Sequence, residues 1–362
     1  MKIVVNQKNL KQALGITEKI VAKNTSLPIL NNILIKTENG RLKLSATNLE
    51  IGINMSVGAK IDEVGEIAVP ARILNDFISA VTDEKITLTT KNNILGINSQ
   101  NYKTNILGFD PKDFPIIPKL KTPAVASINT RSLKNGLITI LDSVAISEAR
   151  PELAGAYIQI NNNKATFAST DIFRLTETII PFKGNDQLSF ILPRNTITEL
   201  IRIAGELEGE LQIKYSDNQI VFLNDDFELV SRVVDGTFPD YKKVIPEKFV
   251  SRLLIKKEDL EKNTRLAGLF SSNISDIKLG CTEDTLLITA KNSDKGEIET
   301  TVPAILKNDP FEISLNYQYL LDGLKNIATS DVVLEYTGPG SPLVIRPSDL
   351  NGMVYLIMPL RT

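Results

Sequence analysis

The chain repeats itself three times. Val69-Pro70, Leu192-Pro193 and Leu315-Asn316 each end a strand-like run and open a helix-like one, at two steps of 123 residues. Ala46-Thr47-Asn48, Ser169-Thr170-Asp171 and Ala290-Lys291-Asn292 recur at steps of 123 and 121. Phe114-Pro115, Phe238-Pro239 and Met358-Pro359 recur at steps of 124 and 120. A period this long exceeds a solenoid unit and matches a small domain with its own core. The 362 residues therefore read as one domain used three times, over 1–120, 121–247 and 248–362. Three like domains in one chain point to a curved or ring-like assembly rather than to a single catalytic cleft.

Each third predicts the same elements. In the first, a strand from Lys2 to Asn6 precedes Leu10, Ala13, Leu14, Thr17, Ile20 and Val21 at helical spacing. Leu133, Leu137, Ile140, Leu141 and Val144 form the second version, within a helical segment over 131–150. Leu260, Ala267 and Phe270 form a weaker third. Alternating strands follow, such as Ile33-Leu34-Ile35 and Leu42-Lys43-Leu44, parted by turns at Asn39-Gly40 and Asn161-Asn162. After each strand-to-helix marker comes a second stripe: Leu74, Phe77, Ile78 and Val81; then Ile197, Leu200, Ile201 and Ala204; then Leu320, Leu324 and Ile327. Pro70 and Pro193 suit the first turn of a helix, where a missing N–H costs little. The expected class is α+β, two amphipathic helices packed on about eight short antiparallel strands per domain.

Composition removes much chemistry. There is no histidine, which takes away the commonest general base, the usual triads and most zinc sites. No G-x-x-x-x-G-K-[ST] or G-x-G-x-x-G occurs, and Gly338-Pro339-Gly340 reads as a turn. No catalytic residue, metal ligand or cofactor site is therefore expected, and a non-enzymatic role is. The alternatives are a carboxylate enzyme with a deep acidic pocket and a peptide-binding scaffold that never encircles nucleic acid. The single cysteine, Cys281, excludes an intrachain disulfide and fits a reducing compartment. No run approaches the ~20 apolar residues of a membrane span, and Met1 to Val5 reads as a strand rather than a signal peptide. A cytoplasmic location and no membrane partner are expected.

Charge is unevenly placed. The six predicted helical segments (8–23, 71–81, 131–150, 194–205, 256–266 and 316–326) carry a net +6, while the chain as a whole carries −2. The remainder is therefore −8. Phosphate backbones attract such a helical face, and an acidic exterior limits indiscriminate adhesion.

Several landmarks together resemble one family. They are Leu27-Pro28-Ile29-Leu30-Asn31-Asn32, Val69-Pro70-Ala71-Arg72, Thr170-Asp171 with Arg174-Leu175, Gly236-Thr237-Phe238-Pro239-Asp240-Tyr241 and the ending Met358-Pro359-Leu360-Arg361. In this order, within a threefold repeat, they resemble the bacterial beta sliding clamps, the beta subunits of DNA polymerase III. The resemblance implies two chains joined head to tail into a homodimeric ring of six domains, with helices lining the hole. It implies sequence-independent contact with double-stranded DNA and a nucleoid-associated cytoplasmic location. The implied partners are the alpha subunit of the replicative polymerase, the clamp loader, other polymerases and repair proteins.

The resemblance also implies sites. For DNA it points to Lys23, Asn24, Arg72, Arg150 and Arg194. For a hydrophobic peptide groove it points to Leu153, Thr170, Arg174, Leu175, Pro239, Lys243, Val244, Leu343, Ile345, Leu356, Met358, Pro359, Leu360 and Arg361. Ile172-Phe173 departs from the small or polar residues often found before this Arg-Leu and implies a bulkier rim. For the ring joint it points to the strand from Lys103 to Leu107 beside an edge near Glu297 to Thr301. There Ile106 would meet Leu269 and Phe270, and Lys103 would face Asp294, Glu297 or Glu299.

Overall fold

The computed structural model describes residues 1–21, 27–183, 187–282 and 284–360. Among them are six α-helices: α1 (Gln7–Thr17), α2 (Ala71–Ala80), α3 (Thr130–Leu141), α4 (Arg194–Ala204), α5 (Lys257–Gly268) and α6 (Tyr317–Lys325). The chain forms two compact units, one mainly Met1–Leu133 with Asn195–Val233, the other mainly Lys134–Phe182 with Val234–Thr362. The division falls inside the middle repeat, whose strands separate into two groups of four.

In the first unit, a five-stranded sheet has the order Ala59–Glu63, Lys2–Asn6, Lys85–Lys91, Ile94–Asn98, Lys103–Leu107. An eight-stranded sheet joins four strands of the middle repeat to four of the first, meeting where Phe227–Arg232 pairs with Ile51–Val57. At this seam Gly52 lies opposite Val230. The second unit holds a twelve-stranded sheet with a seam of the same kind, Arg174–Pro181 against Met353–Ile357, placing Leu175 opposite Leu356. Both seams are antiparallel. Their backbone groups are paired as they are within a repeat, so neighbouring repeats share one ladder and leave no polar edge buried between them.

The helices form because their apolar residues fall on one stripe, and the sheets cover that stripe. Leu10, Ala13 and Leu14 of α1 and Leu74 and Ile78 of α2 are buried in the first unit. Leu260 and Ala267 of α5 and Leu320 and Leu324 of α6 are buried in the second. Gly323 lets α6 approach closely, since a Cβ there would stand 2.4 Å from the ring of Tyr355.

The first and middle repeats share the hydrogen bonds of one turn. Thr47 Oγ1 donates to the Ile51 carbonyl (2.9 Å) and accepts from the Leu49 N–H (3.0 Å), while Asn48 Oδ1 accepts from the N–H groups of Glu50 and Ile51. One period later, Thr170 Oγ1 donates to the Arg174 carbonyl (2.7 Å) and accepts from Ile172 N–H (3.1 Å), and Asp171 Oδ1 accepts from Phe173 and Arg174. Leu49 and Ile172 both take left-handed backbone, at φ +76° and +73°.

Some local expectations shift. The helix predicted over 131–150 ends at Leu141, and single turns through Ser143 and Val144 follow. Pro70 and Pro193 are the last residues of their strands, one position before the helix rather than inside its first turn. The turn read at Asn161-Asn162 centres on Asn162 and Asn163, the pair with left-handed φ.

Candidate functional site

The second seam carries an apolar cluster with a partly buried margin. Leu153, Ala168, Leu175, Ile191, Phe238, Tyr241, Val344 and Leu356 pack together and are buried. The segment after the middle repeat supplies the aromatic wall. Phe238 stacks on Tyr157 with centroids 5.4 Å apart and meets Tyr241 edge-on at 6.0 Å. Tyr241 Oη donates to Glu177 Oε2 at 2.5 Å. Burial first, and that carboxylate second, push the Tyr241 phenol well above the ordinary tyrosine range.

One rim of this cluster is the 170–174 turn, and a charge network fixes it. Arg174 Nε donates to Asp171 Oδ2 at 2.9 Å, a second guanidinium nitrogen donates to Asp322 of α6, and the guanidinium lies 4.4 Å over the Tyr319 ring. Burial opposes the charge, but Tyr355, Asp322 and Asp171 outweigh it and raise the Arg174 pKa. The turn thus presents Ile172 (55% exposed) and Phe173 outward on a backbone that cannot swing freely. The Met358 N–H donates to the Phe173 carbonyl (2.8 Å), carrying the seam one residue past Ile357, and the Leu360 N–H donates to Ser314 (2.9 Å).

The groove expected from the sequence is largely brought together. Leu153, Leu175 and Leu356 form its floor, Thr170 and Arg174 its turn, and Met358, Pro359 and Leu360 a half-buried margin. Pro239 is exposed, Val244 is an exposed apolar residue, and exposed Lys243 pairs with Asp240 at 2.9 Å. Two assignments are corrected. Leu343 and Ile345 point into the core of the last repeat, and the residue of that strand that joins the seam cluster is Val344. Alternation along a strand decides this, since neighbours face opposite sides. Arg361 lies outside the described residues. Asp322 and Tyr319 were not expected, and nothing in sequence links them to Arg174 almost 150 residues away. Phe238 and Tyr241 stood in the Gly-x-Phe-Pro-Asp-Tyr run, whose aromatic pair was the available signal.

The basic candidates divide. Arg72, at the start of α2 in the first unit, is exposed and among the described residues pairs only with Asp76, loosely, at 3.8 Å. Arg150 in the second unit is exposed and lies 3.4 Å from Glu152. Arg194 is turned inward instead. Its guanidinium donates to the carbonyls of Leu141 (2.9 Å) and Val144 (2.7 Å), closing the C-terminal end of α3. Burial lowers its pKa. Lys23 and Asn24 lie outside the described residues.

Two strand edges stand open. Lys103–Leu107 ends its sheet, with Lys103 exposed. Ile106 is 6% exposed and faces the core of its own unit, so Leu107, at 73%, is the apolar residue this edge displays. In the second unit, residues 296–303 of the strand Gly296–Asn308 pair with Thr285–Asn292, and no described strand pairs with their other side. Glu297 and Glu299 are exposed there, Glu297 with Lys291 at 3.2 Å. Nearby Leu269 is exposed, whereas Phe270 leans on the core.

None of these places assembles a reacting group. The described residues include no cluster of potential metal ligands. Burial pushes the Cys281 thiol up to about 11, which keeps it protonated and inert. What the second seam offers is an apolar floor beneath a rigid rim, a surface suited to binding.

Comparisons with known proteins bear on the whole chain. Models of the DNA polymerase III beta subunit match in order: the N-terminal domain over residues 1–118, the central domain over 127–240 and the C-terminal domain over 242–361. The beta sliding clamp of Rickettsia bellii is 26% identical over 377 aligned positions spanning all of both chains. That of Synechococcus elongatus is 28% identical, covering 100% of this chain and 99% of its own. Among solved structures, the DNA polymerase III beta subunit of Thermotoga maritima superposes with a TM-score of 0.94 at 26% identity, covering 100% of this chain and 99% of that one. The subunit from Pseudomonas aeruginosa gives 0.95 at 26%, covering all of both chains. Matched by all three domain models along nearly its whole length, the chain belongs to the DNA polymerase III beta subunit family.

Proposed function

We infer that the chain is a DNA sliding clamp, a non-catalytic subunit that holds a replicative polymerase on duplex DNA. The observation that carries this reading is the apolar cluster at the second seam, with its partly buried margin and its turn locked by Arg174, Asp171 and Asp322. A short apolar segment of a partner fits there, with leucine-like or aromatic side chains seated on Leu175, Val344 and Leu356. The polymerase alpha subunit, the clamp loader and repair proteins are the proposed owners of such segments. Half-buried Met358 adapts its shape to different occupants.

Ring closure is proposed at the two open edges. The strand Lys103–Leu107 of one copy would add to residues 296–303 of another, with Lys103 facing Glu297 or Glu299 and Leu107 near Leu269. Repetition of the contact head to tail closes two copies into a ring. DNA would pass through it, met by Arg72 and Arg150 through weak phosphate contacts that let the ring slide. The domain boundaries proposed are 1–120, 121–247 and 248–362, and the place of action is the cytoplasm, at the nucleoid.

The test is retention on DNA. The protein is loaded onto a nicked circular plasmid by a clamp loader and separated from free protein by gel filtration. Retention on the circle, and release when the plasmid is cut once, is the expected result. Equal retention on linear DNA with free ends overturns encirclement.

A further inference from the structure

The first seam holds the same groove one period earlier, and we propose that it is a second docking site. Its occupant is an extended peptide bearing one large apolar side chain beside a carboxylate. The equivalence is one of register. Gly52 opposite Val230, with Val221 beside Val230, repeats Leu175 opposite Leu356 with Val344 beside Leu356. The Thr47–Ile51 turn repeats the 170–174 turn bond for bond. Ile117 stands where Tyr241 stands, three residues after the Phe of its Phe-Pro.

The first seam nevertheless differs in three ways that give it its own ligand. A cavity of about 310 Å³ opens here, walled by the turn, by Pro115 to Pro118 and by the strand ending at Arg232. That volume lies within the range of small-ligand and side-chain pockets. The floor lacks the leucine side chain: Gly52 is bare, and Ile117 leans over it so closely that a Cβ would come within 2.6 Å of its Cγ2. The rim is apolar and open to water, with Leu49 52% and Ile116 93% exposed. Isolated apolar side chains need no explanation, but two flanking one cavity form a patch, and such patches mark interaction sites.

Charge chooses among occupants. Arg232 lines the cavity, is exposed and makes no ion pair among the described residues. Glu50, in the turn that walls the same cavity, accepts a hydrogen bond from Asn195 (3.1 Å), so the cavity holds one acid and one cation and only the acid has a side-chain partner among the described residues. The position of Arg232 belongs to Met358 at the second seam, so the second groove has an adaptable apolar margin where the first has a fixed cation. A peptide carboxylate beside the apolar anchor answers that cation. Each chain therefore carries two seams for short peptides, one with an apolar margin at Met358 and one selective for acidic flanks at Arg232.

The inference extends the groove reading to its repeat, and one experiment separates the two. Protein carrying ¹³C-labelled isoleucine methyl groups is titrated with the hexapeptide Asp-Asp-Leu-Phe-Ala-Ala up to about 1 mM, enough to populate a weak groove. Ile116 and Ile117 report the first seam and Ile172 the second. Saturable shifts at Ile116 and Ile117 are expected. They should weaken about tenfold in Arg232→Glu, and in exposed Ile116→Ser the remaining Ile117 signal should weaken likewise, with Ile172 unaffected in both. Unchanged melting of both variants, which alter exposed side chains, excludes unfolding as the cause. Shifts confined to Ile172 overturn the proposal and leave the groove reading standing. Shifts at Ile116 and Ile117 alone support the proposal and count against that reading, and silence at both seams overturns both.

Discussion

At the seam between the first and middle repeats, Gly52 faces Val230, and the linker isoleucine Ile117 covers the bare backbone. At the seam between the middle and last repeats, Leu175 faces Leu356, and the linker offers Tyr241, tied to Glu177. The backbone plan is shared to the hydrogen bond, so the difference lies in side chains alone. Duplication supplies the geometry twice, and substitution then decides whether each copy is filled from the sheet or from the linker. The first seam keeps its apolar contact outside the ladder, where it can be displaced. The second builds it into the ladder, where it is permanent.

The widest separation between the seams should appear on exchanging their floor residues. Leu175→Ala removes a buried side chain and is expected to cost about 3 kcal/mol. Gly52→Leu forces Ile117 aside and should cost about 2 kcal/mol as overpacking. The paired variant Gly52→Leu/Ile117→Ala should then cost less than the sum of its singles, because one substitution makes room for the other. Urea unfolding of the four proteins measures this. Strict additivity at the first seam would mean that Ile117 is not what fills it.

Next in size is the charge network that only the second seam has. Arg174 is replaced at the first seam by Ile51, which needs no partner. Asp322→Asn should leave Asp171 as the one carboxylate on Arg174, speed amide exchange at Ile172 and Phe173, and weaken an apolar peptide at the second seam by about tenfold. Peptide shifts at Ile116 and Ile117 should not change. Loss at both seams would show that Asp322 supports the fold at large rather than one rim.

These contrasts also mark what the sequence could disclose. The period and the helix stripes were legible because they depend on local spacing. Thr47-Asn48 and Thr170-Asp171 were legible as repeat markers, whereas the turns they close, with side chains bonding their own backbone, emerged only in the structure. The floor residues Leu153, Leu175 and Leu356 were legible through the family resemblance, which marked their positions. Leu343 and Ile345 were misplaced by one residue, the smallest slip that turns a strand over. Ile106 was misplaced toward the joint for the same reason. Arg194 reads in sequence as a free cation because the carbonyls it closes, at Leu141 and Val144, lie some 50 residues earlier. Asp322 was invisible because an ion pair between distant segments leaves no trace in either one.

A smaller contrast is set by pH. Burial and Glu177 raise the Tyr241 pKa in the folded chain above its unfolded value near 10. An acid with a raised folded pKa contributes its stability in full below the unfolded pKa and loses it as pH rises beyond. Tyr241→Phe should therefore cost about 1 kcal/mol at pH 8, for the lost hydrogen bond. The gap from the parent should narrow steadily above pH 10. Ile117→Val at the first seam should show a gap independent of pH. Urea midpoints at pH 8 and pH 11 compare the two, and a constant Tyr241→Phe gap would exclude this linkage.

The smallest difference is expected where the seams agree most. Leu49 and Ile172 hold left-handed backbone at φ +76° and +73°, where a side chain is crowded and glycine is not. Relief of that crowding is worth about 1–2 kcal/mol, and the extra freedom of glycine in the unfolded chain returns roughly 0.5–1 kcal/mol of it. Leu49→Gly and Ile172→Gly should each stabilise their unit by about 0.5 kcal/mol. Ile172, β-branched, should gain slightly more. Because both side chains are more than half exposed, little packing is lost to offset the gain. A stabilised Ile172→Gly that binds an apolar peptide less tightly would show that the strain is retained for the sake of the rim. Equal stabilisation without any change in binding would assign the left-handed residue to the inherited turn alone, and leave the difference between the seams to their floors.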